Sequence, residues 1–197
     1  DSTGAHIFFT HTMGRFQLPT TQLERGWMNT AALSVFDGKT GAYVNTVILD
    51  EPDLGAANPW GCAVSPDGVT LAVAHAGSRE VSLIDAPKLC AMLALVAHGR
   101  KVGVSTSADQ VPHDLSFLVG LRRRVKLEGD GPRGVAFVGD KKLFVALYFS
   151  GLLRELPDVS AADPVSVPVL LNCQEPVSPE DEDDPVRHGE IVWNDGS

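Results

Sequence analysis

One unit, read as strand, turn, strand, turn, strand, occurs three times along this chain, and the repetition constrains the fold more than any other feature. Its clearest copy is Pro59-Trp60-Gly61-Cys62-Ala63-Val64, the turn Ser65-Pro66-Asp67-Gly68, then Thr70-Leu71-Ala72-Val73-Ala74-His75, a Gly-Ser turn and Glu80-Val81-Ser82-Leu83-Ile84-Asp85. Proline pre-sets φ and glycine accepts a positive φ, so Pro66-Asp67-Gly68 suits a tight turn between two β-rich runs. A second copy runs from Pro132-Arg133-Gly134 through Val138, Lys142 to Leu147 and Leu152 to Leu156. The earliest copy is met part-way, with Asp1 to Gly4 as the turn, Ile7 to His11 as the second strand and Ala32 to Asp37 as the third.

A further β-rich run follows each third strand: Ala42 to Leu49, Arg123 to Leu127 and Val165 to Leu171. Four antiparallel strands per repeat describe a β-propeller blade, whereas a sandwich leaves the repeated order unexplained. The expected fold is therefore all-β, a partial propeller of about three four-stranded blades with the first incomplete. Blades span residues 1–57, 58–130 and 131–178, and 179–197 form an acidic linker leading to a further domain. A short helical insertion is expected over 86–121, with helical spacing at Leu89, Met92, Leu93 and Val96 and a second short helix over Asp114 to Leu121. This insertion reads as a cap or docking element. An open arc exposes sheet faces at its ends, so the chain is expected to be part of a larger polypeptide or to self-associate through its open edges.

Composition removes several partner classes. Lys and Arg number 16 against 25 Asp and Glu, a formal charge of −9, and no basic face suits a phosphate backbone, so nucleic acid is not expected. No apolar run reaches membrane-spanning length. Five of the acids, Glu180 to Asp184, fall in one run between Pro179 and Pro185; without the glycine-interrupted spacing of a calcium loop, it reads as a solvated linker. Cys62, Cys90 and Cys173 contain no CxxC pair, and Cys62 reads as a small buried hydrophobe. Nucleotide, dinucleotide and Gly-x-Ser-x-Gly hydrolase motifs are missing from the sequence.

Blade topology sends the connection between blades and the turn between second and third strands to one face. That face is expected to carry His11, Arg15, Arg25, Trp27, Trp60, His75, Arg133 and Tyr148, together with the insertion Thr12 to Asn29. Arg and Trp are favoured anchors at protein interfaces and around haem propionates; the competing reading is that they brace a long loop against the propeller face. His11 and His75 end equivalent second strands, so they are candidate metal ligands or, alternatively, caps bonded to a nearby turn; Leu147 at the third equivalent position breaks any ring of ligands. Arg122, Arg123, Arg124 and Lys126 read as a solvated strand face opposite Val125 and Leu127. Asp109, His113 and Asp114 suggest a catalytic or metal trio, against the plainer reading of Asp114 as the N-cap of a helix at Leu115.

The order P-x-G-x-A-V-S-P-D-G, then Ala72-Val73-Ala74-His75, then V-S-x-I-D resembles the YVTN-type propeller repeat of surface-layer and exported redox proteins. His11 to Asn29, Asp114 to Phe137, Tyr148-Phe149-Ser150 and Arg187 to Asp195 resemble a larger group, whose propeller is followed by a c-type cytochrome domain of the di-haem peroxidase kind. That resemblance implies a non-catalytic, periplasmic or cell-surface propeller that binds or orients a cytochrome domain, another protein or a substrate. Haem c would sit in an adjoining domain. No Cys-His haem motif lies in these residues, so no cofactor is assigned to this chain. Two other readings are an adhesion module without redox role and a metal-dependent oxidoreductase using His11 and His75.

Overall fold

The computed structural model describes residues 3–15 and 28–169, which form three antiparallel sheets arranged as propeller blades. Sheet 1 holds β1 (His6–Gly14), β2 (Asn29–Asp37) and β3 (Tyr43–Ile48) in that order. Sheet 2 holds β4 (Pro59–Val64), β5 (Thr70–His75), β6 (Glu80–Asp85) and β7 (Arg122–Lys126). Sheet 3 repeats it with β8 (Pro132–Val138), β9 (Lys142–Leu147), β10 (Leu152–Leu156) and a short β11 (Val167–Pro168). The expected fourth strand of the last repeat is thus two residues long, and positions from 170 onward lie outside the described residues.

Local chemistry explains the strand breaks. The turn after β4 closes with Gly68 N–H donating to the Ser65 carbonyl at 2.8 Å, while the Asp67 carboxylate accepts from the Ser65 hydroxyl at 2.5 Å and from Val69 N–H at 3.0 Å. These bonds hold the Asp67 carboxyl below the usual carboxylate range. Between β2 and β3, Asp37 accepts from the backbone of Lys39 and Thr40 and from the Thr40 hydroxyl, which fixes the turn.

Two apolar layers join the sheets. Leu33, Val35, Val47 and Leu49 of sheet 1 pack with Leu71, Val73 and Ile84 of sheet 2, whereas Ala72, Val81 and Leu83 on the other face of sheet 2 pack with Leu143, Val145, Leu147 and Leu156 of sheet 3. Alternation along β5 and β6 therefore serves two cores at once, and sheet 2 has no wet face in its middle strands.

α1 (Ala86–Ala97) begins where β6 ends. Asp85 caps it by accepting from Lys88 N–H at 2.9 Å, Pro87 lies in its first turn, and Ala86, Leu89, Leu93 and Val96 form its buried stripe. Its stripe joins the layer between sheets 1 and 2, together with Val111, Phe117, Leu118 and Leu121. The helix buries this one stripe and leaves its opposite face exposed. The second helical element of the insertion differs from expectation: a 3-10 helix covers Ala108–His113, and Asp114 to Leu121 is a series of turns. Asp114 accepts from Ser116 N–H at 2.9 Å, a bond of the kind a helix cap makes, but it closes a turn here; its carboxylate also accepts from the Ser116 hydroxyl at 2.6 Å and the Ser105 hydroxyl at 2.7 Å.

The largest departure from expectation is β7. Arg122 and Arg124 are buried instead of solvated, with side chains 2% and 9% exposed. Facing sheet 1, Arg122 donates to the Leu49 carbonyl and to Glu51, while Arg124 donates to the carbonyls of Leu54 and Gly55 and to Glu80. Facing sheet 3, Arg123 donates to the carbonyls of Val159 and Ala161. The outer strand of the middle blade is thereby bonded to both neighbours. The fully buried Glu80 carboxylate also accepts from the Ser78 hydroxyl at 2.8 Å and lies 3.4 Å from Lys126 Nζ.

Removing one partner from a buried ion pair strands the other. Arg124→Met should therefore destabilise the fold by about 3–5 kcal/mol, and Glu80→Met combined with Arg124→Met should recover most of that loss. Denaturant midpoints of the two variants and the parent check both expectations.

Candidate functional site

Trp60 and Arg133 hold the same position in successive repeats, the second residue of a blade's first strand. Tyr148 and Phe149 follow β9 directly, and Tyr148 N–H donates to the Gly131 carbonyl at 2.8 Å, which brings the exit of β9 to the entrance of β8. Four side chains meet there. The Arg133 guanidinium carbon lies 4.1 Å from the Tyr148 ring centre, 4.3 Å from that of Trp60 and 4.8 Å from that of Phe149. Phe149 is buried and meets Tyr148 edge-on at 5.3 Å, whereas Trp60 and Tyr148 are 48% and 55% exposed. A cation over aromatic faces contributes about 0.5–2 kcal/mol per contact, rising as water is removed.

Two glycines make this packing possible. A Cβ on Gly61 would stand 2.4 Å from the Arg133 carbonyl oxygen, so the first strands of sheets 2 and 3 approach too closely for a side chain there. A Cβ on Gly131, at φ +66°, would stand 2.3 Å from the Phe149 ring. The Thr10 hydroxyl donates to the Trp60 carbonyl and ties sheet 1 to the same spot.

Arg133 itself has neither a hydrogen bond nor an ion pair among the described residues, and its Nε is buried without a partner. The sequence placed Trp60, Arg133 and Tyr148 on one face, and the structure brings them into contact. It missed Phe149, whose signal was its adjacency to Tyr148 and to the glycine-flanked start of β8. Arg25 and Trp27 lie outside the described residues. Arg15 is buried and donates to the Pro112 carbonyl, so it braces the insertion and is not a surface anchor.

The histidines are equivalent in fact as well as in sequence. His11 Nε2 bonds the Ser34 hydroxyl at 2.8 Å, and His75 Nε2 bonds the Ser82 hydroxyl at 2.8 Å. Each serine lies on the third strand, opposite the residue two before its histidine. The partner is a strand hydroxyl and not a turn, and β1 continues three residues past His11 to Gly14. His75 is fully buried, and desolvation with the nearby charges of Arg122 and Arg124 lowers its pKa to about 3. Among the described residues no group of three or more His, Cys, Asp or Glu side chains is placed to hold a metal ion. An open groove of about 370 Å³ runs between β1 and β4, lined by His6, Ile7, Phe8, Cys62, Ala63, Val64 and Leu71, and burial raises the Cys62 thiol pKa.

No family model matches the chain. Over 148 residues, 75% of its length, it is 29% identical to hydrazine synthase subunit beta of Kuenenia stuttgartiensis and covers 36% of that protein. It also superposes on a chain of the solved Kuenenia stuttgartiensis hydrazine synthase with TM-score 0.69 and 25% identity, covering 81% of this chain and 44% of that one. A more distant likeness, TM-score 0.46 and 13% identity over 99% of this chain, is to the β-propeller domain of Cps50 (Swd1) from Myceliophteria thermophila, 42% of which is covered. The chain therefore spans about a third of its curated relative.

The buried His75 gives a signed pH dependence. Its folded pKa, about 3, lies below the unfolded value near 6.5, so between those limits the unfolded state binds a proton that the folded state refuses. Stability is unpenalised above pH 6.5 and falls as the pH drops through this window, by roughly 1.4 kcal/mol per pH unit at the steepest. His75→Leu, which installs the residue type that Leu147 supplies in sheet 3, should flatten that slope even if its stability at pH 7.5 is lower. Urea unfolding at pH 7.5, 6, 5 and 4 makes the comparison.

Proposed function

We propose that this chain is a non-catalytic propeller module of an exported, haem-linked redox protein, and that it presents the face bearing Trp60, Arg133 and Tyr148 to a redox partner. One observation carries the reading: three quarters of the chain align with subunit beta of hydrazine synthase, and four fifths of it superpose on a chain of that solved enzyme. The chemistry of the face agrees, since Trp, Tyr and Arg are the residues most enriched among interface anchors. The proposal of a cytochrome partner and of a periplasmic or surface location is supported by the repeat's resemblance to exported redox propellers.

The reading places haem outside the repeat histidines of this chain. Its two repeat histidines are each committed to a serine, one of them fully buried, and the sequence has no Cys-His attachment motif. Haem would therefore belong to an adjoining domain or a partner chain, and this module would hold, orient or gate access to it. By analogy with its relative, the assembled protein would act on small nitrogen compounds.

The natural full-length polypeptide, purified with its tightly bound chains, should show a c-type visible spectrum and a haem stain that persists in denaturant. A preparation without covalent haem in any of its chains would sink the haem-linked reading. Trp60→Ala in the same preparation should weaken retention of the partner by about 30-fold, corresponding to roughly 2 kcal/mol.

A further inference from the structure

We infer that Arg133 is the receptor for a carboxylate carried by a protein partner, an aspartate or glutamate side chain held between the rims of Trp60 and Tyr148. The assignment rests on this face being a docking surface and adds the chemistry that it recognises.

Arg133 differs from the other arginines that are at least partly buried among the described residues. Arg15 donates to Pro112, Arg79 pairs with Asp130 at 2.8 Å, Arg122 and Arg124 bond Glu51, Glu80 and carbonyls, Arg123 bonds two carbonyls, and Arg154 bonds Glu128 at 3.1 Å. Each of these charges is matched by an oxygen. Arg133 has three rings and, among the described residues, no oxygen partner. Rings stabilise the cation but accept no conventional hydrogen bond from its N–H groups, so the donors of a fixed, partly desolvated guanidinium remain available.

The geometry selects the form of the anion. Nε is buried and without a partner, which leaves the two terminal nitrogens as the accessible edge. Those two N–H groups form a planar fork that matches the two oxygens of one carboxylate. The position of Trp60 and Tyr148, each about half exposed, makes an open platform rather than a closed pocket. A free small acid would find no walls to desolvate it there. An acidic side chain brings its own walls, because the flanking residues of its chain cover the two rings and exclude water from the ion pair.

The test uses the full chain labelled with ¹⁵N, observed by NMR at the Arg133 side chain and the Trp60 indole, at fixed ionic strength. Acetyl-Gly-Glu-Leu-amide should shift both signals saturably with a dissociation constant of about 1–10 mM, at least about 5-fold tighter than acetate, while its Gln counterpart and chloride shift neither. Arg133→Lys, which keeps the charge and loses the fork, should weaken the Glu peptide by about 5- to 10-fold. Arg133→Gln should abolish its binding with the fold intact, judged from the remaining amide spectrum. Failure of the Glu peptide to saturate either signal overturns the inference, as does acetate binding as tightly as the peptide. Footprinting of the assembled natural complex separates this from the docking reading. Protection of Trp60 and Tyr148 without a Glu-peptide response leaves docking and removes the carboxylate. A Glu-peptide response with both rings unprotected in the complex removes docking, and with it this assignment of the partner.

Discussion

Sheet 2 has apolar side chains on both faces of its middle strands, and the rest of the structure answers that constraint. Leu71, Val73 and Ile84 need cover on one side and Ala72, Val81 and Leu83 on the other, so a single partner sheet would leave half of them in water. Each of these larger side chains loses roughly 1.5–3 kcal/mol if left exposed. Sheets 1 and 3 supply the two covers. A sheet flanked face to face on both sides, with short connections leading from one sheet to the next, is the repeating element of a propeller.

The same arrangement explains where small and large residues fall. Blades converge toward their first strands and diverge toward their fourth. At the convergent end Gly61 has no room for a Cβ against the Arg133 carbonyl, and alanine and glycine recur along β4 and β8. At the divergent end the gap exceeds the reach of leucine, and it is filled by three arginines whose stems cross the space and whose heads bond the neighbouring blades' carbonyls. Burying these cations is tolerable because each meets several oxygens, with Glu51 and Glu80 supplying countercharge for Arg122 and Arg124. α1 adds its apolar stripe to the layer between sheets 1 and 2.

Much of this was legible from periodicity. The repeat predicted the strand order, the Pro-Asp-Gly turn and the helix at Leu89 to Val96, because those depend on spacing within a dozen residues. Of the basic cluster read as one face opposite Val125, Arg122 and Arg124 do lie there whereas Arg123 shares the Val125 side, and period two says only which way a side chain points. Whether that direction holds water or a neighbouring blade depends on contacts some 70 residues away, from Arg122 to Leu49 and from Arg124 to Leu54, which local spacing does not encode. Asp114 makes the local bond expected of a cap, to Ser116 N–H, yet turns follow it instead of a helix, and its second oxygen is taken by the Ser105 hydroxyl from a separate turn. The His11 and His75 equivalence was readable, yet the serine that each one bonds follows only from strand register.

The taper also accounts for the site. The residue just before the glycine of the Pro-x-Gly pattern sits at the start of a blade's first strand, and at Gly61 the neighbouring blades meet too closely for a Cβ. In β4 that residue is tryptophan and in β8 it is arginine, so successive blades deliver an aromatic ring and a cation to neighbouring points on one face. Packing thus explains their position and their contact. It does not explain why the cation lacks an oxygen partner among the described residues, since Arg122 and Arg124 of β7 each meet a carboxylate there. An arginine fixed by three rings and left unmatched is the mark of a group whose counterion comes from another molecule.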